Sequence, residues 1–499
     1  MNNSSFFKNS FVLTLSNITT GILGFIFSIY LSKLIGPEGM GLYGLVMPVY
    51  NLFICLMTAG IIAAISQTSA IYKSKGQYNN IHNTINTVAG FNIIWSILIG
   101  VLVFFLAPYI SKYGIHDIRT INAIRVTTPA MVFIALSNIL KGYFYGVSKI
   151  TVPSIIDISE KAMRIIVITL LIYFFKAKTI TALVTLAYVS LAIGELQSLI
   201  LLFIYYKSLK KKIPVSTSEP ERRSQLLFNV LVIALPLCLN GFLGNLFSTF
   251  STLLIPRRLV HAGFDATAAL GLIGKFNGMA LNIVVFPIIV IASINSLIVP
   301  DLSETLSKGD YYNATIRIKK VMKIAFLLGL ATTVVCNIVP DSLGKMFYSR
   351  DDLGNYIRII SLSAPIFFTA NTMFGILNGL SKQGVILKNS LIVSLLEIIC
   401  LYFLIGNTKI NIMGYGITIF ITSSLSLIIN LREVKKHMDL YLSGANIIIY
   451  LLLAVLIFLV YNLLTNIFLK DLFIIKNILV TGLTFITFGG LSFFGVEEE

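Results

Sequence analysis

The chain has 499 residues, of which 56% are hydrophobic and only 12% charged; its mean hydropathy is +0.89 and its formal net charge +17. Soluble domains carry about 25% charged residues, so these values exclude an ordinary soluble globular protein. The cations lie in short segments between apolar runs, not on a solvated basic face with interleaved aromatics, which argues against a nucleic-acid partner.

In chain order, Lys8 precedes an apolar run from Ser10 to Leu31. That run is long enough to span a bilayer and lacks a small-residue cleavage site, so it reads as a first membrane helix and not a signal peptide. Spans are expected at roughly 10–33, 42–70, 84–110, 121–145, 153–175, 179–206, 227–254, 269–300, 318–340, 354–380, 384–405, 411–431, 443–464 and 472–494. The predicted fold class is an all-α membrane protein of about 14 transmembrane helices. A barrel would need alternating strands of about ten residues, and these runs are longer and unbroken. The basic loops follow the sixth span (Lys207, Lys210, Lys211, Lys212, Arg222, Arg223), the eighth (Lys308, Arg317, Lys319, Lys320, Lys323) and the twelfth (Arg432, Lys435, Lys436). All are even-numbered connections, which predicts cytoplasmic N- and C-termini.

The stretch SKGQYNN, Ser74 to Asn80, returns as SKGDYYN, Ser307 to Asn313, 233 residues later. At the same offset Arg125 pairs with Arg358, Asn138 with Asn371, Gly142 with Gly375, Gly146 with Gly379, and Ser148–Lys149 with Ser381–Lys382. A constant shift over so many positions predicts two six-helix units in tandem, inserted in the same direction as a parallel repeat. The expected division is a first lobe at 1–206, a basic cytoplasmic linker at 207–226, a second lobe at 227–431 and two additional helices within 443–494. Two such lobes suit alternating access around a site at their interface. There is no G-x-x-x-x-G-K-[ST] sequence to hold a nucleotide.

Charges inside spans are costly and mark candidate sites. In DISEKAMR, Asp157, Glu160, Lys161 and Arg164 share one helical face, with Asp157–Lys161 and Glu160–Arg164 as i,i+4 pairs. They read either as a self-neutralised stripe that locks the fifth span to a neighbour or as a cavity wall that meets an anionic headgroup. In LLIPRRLVHAG, Arg257 and Arg258 end the seventh span, and the planar guanidinium suits a diphosphate. An interfacial anchor is the alternative there. Lys275, Arg125 and Arg358 are expected at similar depth. Glu195 and Glu397 are lone acids, open to a coupling role with protons or sodium, as are Glu160 and Asp157, or to plain packing. Cys55, Cys238, Cys336 and Cys400 read as small apolar packing residues. His82, His116, His261 and His437 form no catalytic pair with a serine or cysteine, so no enzyme chemistry, metal site or cofactor is expected.

GPEGMGLYGLVMPVYNLF, TAGIIAAISQ, STLLIPRRL and GILNGLSKQG resemble the lipid-linked oligosaccharide flippases of the multidrug/oligosaccharidyl-lipid/polysaccharide exporter superfamily, and within it the stage V sporulation protein B-like branch. The resemblance covers essentially the whole chain. It implies a V-shaped two-lobe transporter in the bacterial plasma membrane. The expected cargo is an undecaprenyl-diphosphate-linked glycan precursor, moved to the outer leaflet for spore cortex or another wall polymer, with membrane lipids and wall-synthesis enzymes as further partners. Flippases of lipid II in this superfamily carry first-helix arginines in a motif like R-x-L-G-F-x-x-R. The matching stretch here, GILGFIFS, carries none. That shifts the cationic work to Arg257, Arg258, Lys275, Arg164, Lys161 or Arg125. The competing readings are a proton- or sodium-coupled antiporter of organic cations, which needs acids in the cavity, and a membrane scaffold for a wall-synthesis complex.

Overall fold

The computed structural model describes residues 3–58, 60–211, 221–441, 443–467 and 473–493, and among these there are helices and turns but no strand. The chain divides into two compact units: residues 1–27 with 42–253, and residues 28–41 with 254–499.

α1 (Asn3–Thr58) is two helices joined at Gly36, whose φ of 65° and ψ of −175° lie outside helical space. Glycine reaches that conformation without a Cβ clash, and Pro37 then restarts the helix with φ already set. In the first unit follow α2 (Ile61–Ser74), α3 (Tyr78–Tyr109), α4 (Ile121–Gly146), α5 (Thr151–Phe175), α6 (Ile180–Lys210) and most of α7 (Arg223–His261). α4 is the centre of this unit and packs against α2, α3 and α6, with α5 laid against α6.

In the second unit α8 (Ala266–Ile273) continues through a π-helical stretch, Gly274–Ala280, into α9 (Leu281–Val285). Then come α10 (Ile288–Ser307), α11 (Tyr311–Ile338), α12 (Pro340–Tyr348), α13 (Gly354–Ser361), α14 (Ala364–Gly379), α15 (Gln383–Ile405), α16 (Met413–Lys435), α17 (Gly444–Ile467) and α18 (Phe473–Phe493). α14 is central and packs against α10, α11 and α16; α15 lies against α16. The two C-terminal helices cover α11 through Leu327, Leu330, Val334, Ala454 and Phe488.

Among the described residues, twelve helices are long and apolar enough to cross a membrane, or thirteen if α13 and α14, bent by 53°, form one crossing. The fourteen expected spans depart from this in three places. The first two run as one apolar stretch, Phe11–Ser74, although the break expected between them, within 34–41, is present as the kink at Gly36. The eighth is split at Phe286–Pro287, where proline lacks the N–H to continue the helix. α5 is not among the twelve because it carries four charges, Asp157, Glu160, Lys161 and Arg164.

The 233-residue offset is written into the backbone. α2 ends at Ser74 and α10 at Ser307; α3 starts at Tyr78 and α11 at Tyr311; α4 spans Ile121 to Gly146, and α13 with α14 spans Gly354 to Gly379; α6 starts at Ile180 and α16 at Met413. Left-handed residues recur as well: Gly76 and Gly309 (φ 71° and 74°), His116 and Ser349 (64° and 56°), Ser148 and Ser381 (63° and 58°). The duplicated polar loop is thus a helix stop. Gln77 N–H donates to Tyr72 O and Gly76 N–H to Lys73 O, the paired bonds that close a helix around a left-handed residue. Ser148–Lys149 and Ser381–Lys382 close α4 and α14 in the same way.

Candidate functional site

α5 carries its charges into the first unit. Glu160, Arg164 and Glu195 of α6 are only 4%, 9% and 6% exposed. Buried charge is tolerated where partners offset desolvation, and here they do. Glu160 accepts from Arg164 Nη2 at 2.7 Å and from Lys161 Nζ at 2.7 Å, while Glu195 lies 4.0 Å from Arg164. Gly194 lets α6 approach, since a Cβ there would sit 3.1 Å from Glu160 Oε1. The Arg164 guanidinium lies 5.7 Å over the Phe27 ring. Tyr43 and Tyr188 stack beside it at 4.8 Å, and Tyr188 donates to the Tyr43 carbonyl at 2.7 Å.

The expected i,i+4 pair of Glu160 and Arg164 forms, whereas that of Asp157 and Lys161 does not. Asp157 instead meets Lys141 of α4 at 2.7 Å, and Lys161 turns to Glu160. Lys141 is the more enclosed cation, with 15% side-chain exposure against 32% for Lys161, so it has the greater need of a counter-charge. Three acids (Asp157, Glu160, Glu195) thereby meet three cations (Lys141, Lys161, Arg164). An anion that reaches Arg164 must compete with Glu160 for it; Arg164 Nε is buried without a hydrogen-bond partner. Lys141 was not singled out from sequence; a lone lysine inside an apolar helix was the signal available.

In the second unit Arg258 donates from Nε to the Tyr402 carbonyl at 2.9 Å and stacks 4.0 Å over the Tyr402 ring. Gly406 leaves room for it. The guanidinium thus caps the C-terminal turn of α15, where carbonyls lack helical partners. Arg257 beside it is exposed. Lys275, in the π-helical stretch, lies 2.8 Å from Asp352, which also accepts from Arg350 at 2.7 Å. Glu397 on α15 is half-buried and has no hydrogen-bond or ion-pair partner among the described residues. It stands 233 residues after Arg164, so the equivalent place on the equivalent helix carries a cation in one repeat and an acid in the other. Arg125 in the first unit packs 5.1 Å over Phe104 with its Nε buried and unpartnered, whereas its repeat mate Arg358 in the second lies 3.7 Å from Asp341.

The hydrogen bonds from Arg350, seconded by Lys275, hold the Asp352 carboxyl well below the usual carboxylate range. A depressed acid contributes stability above its unfolded pKa of about 3.9 and loses it as pH falls toward the folded value. D352N is therefore expected to flatten the fall of melting temperature between about pH 5 and pH 3, measured on the purified protein at matched ionic strength.

A family model described as polysaccharide biosynthesis protein matches residues 6–306, more than half of the chain. The chain belongs to the polysaccharide biosynthesis protein family. This family member is similar to stage V sporulation protein B of Bacillus subtilis (strain 168), 25% identical over 439 residues that cover 87% of this chain and 85% of that protein. It is also similar to lipid II flippase MurJ of the same organism, 23% identical over 432 residues, 79% of this chain and 78% of that protein. Among solved structures, lipid II flippase MurJ in an inward closed conformation shares the fold with a TM-score of 0.71 at 15% identity, over 96% of this chain and 98% of that one. The family member is a multi-pass membrane protein that shares the fold of that flippase.

Proposed function

We propose that this transporter moves an undecaprenyl-diphosphate-linked glycan precursor from the inner to the outer leaflet of the bacterial plasma membrane, in spore cortex or cell-wall synthesis. Similarity along most of its length to a lipid II flippase and to a stage V sporulation protein carries this reading. The charge inventory supports it. Each acid of α5 is in an ion pair and Glu195 has Arg164 beside it, which leaves no uncompensated acid on α5 or α6 for an organic cation. The repeats at 1–206 and 227–431, joined by the basic segment 207–226, would be the lobes of an alternating-access cycle, with both termini cytoplasmic. Arg257, Arg258, Lys275, Arg125, Lys161 and Arg164 are the candidates to meet the diphosphate. Glu397, the unpaired acid, is assigned to proton or sodium coupling ahead of Glu195, Glu160 and Asp157.

The test is leaflet access. The purified protein is placed in vesicles with lipid II or another undecaprenyl-diphosphate glycan on one side, and its appearance on the other is followed. Crossing that depends on the protein is expected. Arg257→Gln should slow it roughly tenfold or more, the worth of a hydrogen bond to a charged group. Arg258 is the poorer probe, because it caps α15 and its loss perturbs that helix end. Absence of crossing by a folded protein that exports dye cations would replace this reading with the antiporter.

A further inference from the structure

One end of the first unit gathers the α2–α3 turn, the α4–α5 turn, the end of α6 and the start of α7. Lys73 Nζ reaches the Val147 carbonyl at 2.8 Å, and Asn80 accepts from Glu221 N–H at 2.9 Å, which ties these turns together. α6 ends in Lys207 and Lys210, with Lys211 next, and Arg222 precedes Arg223 at the start of α7. Lys75 and Lys149 sit in the turns. All seven are exposed, and none is in an ion pair among the described residues. The acid there, Glu221, is taken up by Tyr72 at 2.7 Å.

The second repeat treats the same place differently. Lys308 is the repeat mate of Lys75 and is neutralised by Glu304 at 2.6 Å; Arg317 is paired with Asp301. In the first repeat those two acids are replaced by Ile71 and Thr68. Ile71 is 45% exposed. At these two positions copy two has built-in counter-ions, whereas at the place of Lys308 copy one has an open cation, Lys75, and an exposed apolar side chain beside it.

Apolar surface continues along the rim. Phe203, Ile204, Tyr205 and Phe228 are each close to half exposed or more, and the Lys207 ammonium rides 4.6 Å over the Phe203 ring. Cations on long stems above exposed aromatics match the boundary between acyl chains and headgroups. A soluble acidic partner would leave that apolar rim uncovered.

We propose that this end of the first unit binds the headgroups of bulk anionic phospholipid, and that Lys308, Arg317 and Lys436 of the second unit, each already paired with an acid, do not contribute. The collar takes up several phosphates in one leaflet, and the exposed aromatics seat the chains below them.

The test is native mass spectrometry of the full chain with phosphatidylglycerol or phosphatidylcholine, which reads binding without any transport. Phosphatidylglycerol should be retained preferentially, and the preference should fall as salt is raised. The variant K207Q/K210Q/K211Q/R222Q/R223Q should lose about tenfold or more of it. The variant K308Q/R317Q/K436Q, in the second unit, should keep it. Equal retention of the two lipids by the parent, or unchanged preference in the first-unit variant, overturns the proposal. So does stoichiometric displacement of phosphatidylglycerol by a polyprenyl diphosphate, because the collar would then belong to the transported lipid.

Discussion

Glu160→Gln should lower stability by about 3–5 kcal/mol, the cost of stranding a buried charge by removing its partner. Glu160 is the acid on which two cations converge, Arg164 and Lys161, each at 2.7 Å. Glutamine keeps the shape and an acceptor oxygen but removes the charge. Lys161, with 32% of its side chain exposed, can swing outward; Arg164, at 11%, cannot. Glu195 at 4.0 Å is the remaining counter-charge and recovers part of the loss. The measurement is the thermal unfolding midpoint of the purified protein against the parent. The double variant Glu160→Gln with Arg164→Gln should recover much of that loss, since removing both members of a buried pair is often near neutral. A Glu160→Gln protein as stable as the parent would mean that Arg164 does not depend on Glu160 for its charge.

That experiment also separates the two readings that DISEKAMR leaves open. A self-neutralised stripe predicts that the double variant restores both stability and transport. A headgroup contact through Arg164 predicts restored stability with transport still lost. The sequence permits both because periodicity places four charges on one face without saying what the neighbouring helix presents. Lys141 on α4 decides that locally: it draws Asp157 away from Lys161 and sends Lys161 to Glu160.

Much of the fold was legible for a different reason. Apolar length sets spans, and the repeat sets their order, so the end of α2, the starts of α3 and α6 and both limits of α4 recur in the second unit at the offset read from SKGQYNN. What stayed hidden was breakage within a span. Phe286–Pro287 divides α8 and α9 from α10 at a point where composition stays apolar on both sides. The site was less legible than the fold. Arg258 has the residue type and position of a diphosphate ligand, but its Nε is held by the C-terminal turn of α15, a contact between segments about 144 residues apart. No local pattern encodes such a contact.

The repeated glycines should differ in what an added methyl costs, although the sequence writes them identically. In membrane helices small residues allow close backbone approach. Gly146→Ala would set a Cβ 2.5 Å from the Ser66 carbonyl and 2.7 Å from the Ser69 Cβ; Gly142→Ala would meet the Ile62 carbonyl at 2.9 Å. Those carbonyls belong to α2, which is 14 residues long and follows Gly60, where a Cβ would itself fall 2.6 Å from the Ala234 carbonyl. α2 therefore has little freedom to retreat. In the second unit the same additions meet side chains: Gly375→Ala meets Asn295 Oδ1 at 2.5 Å, and Gly379→Ala meets Leu302 at 3.0 Å. The Leu302 contacts, with Cβ and Cδ2, are the loosest of the four and ask for a shift of only a few tenths of an ångström. Asn295 can turn aside only by giving up its 3.0 Å hydrogen bond to the Asn371 carbonyl, worth about 1 kcal/mol. Overpacking a tight site costs about 1–3 kcal/mol. Gly146→Ala should fall at the upper end of that range, Gly142→Ala below it, Gly375→Ala near 1 kcal/mol and Gly379→Ala least. Thermal unfolding of the four single variants checks the order. Equal losses across the repeat mates would mean that the α10–α14 crossing is as rigid as the α2–α4 crossing, so that the carbonyl contacts of the first unit are not what makes its glycines indispensable.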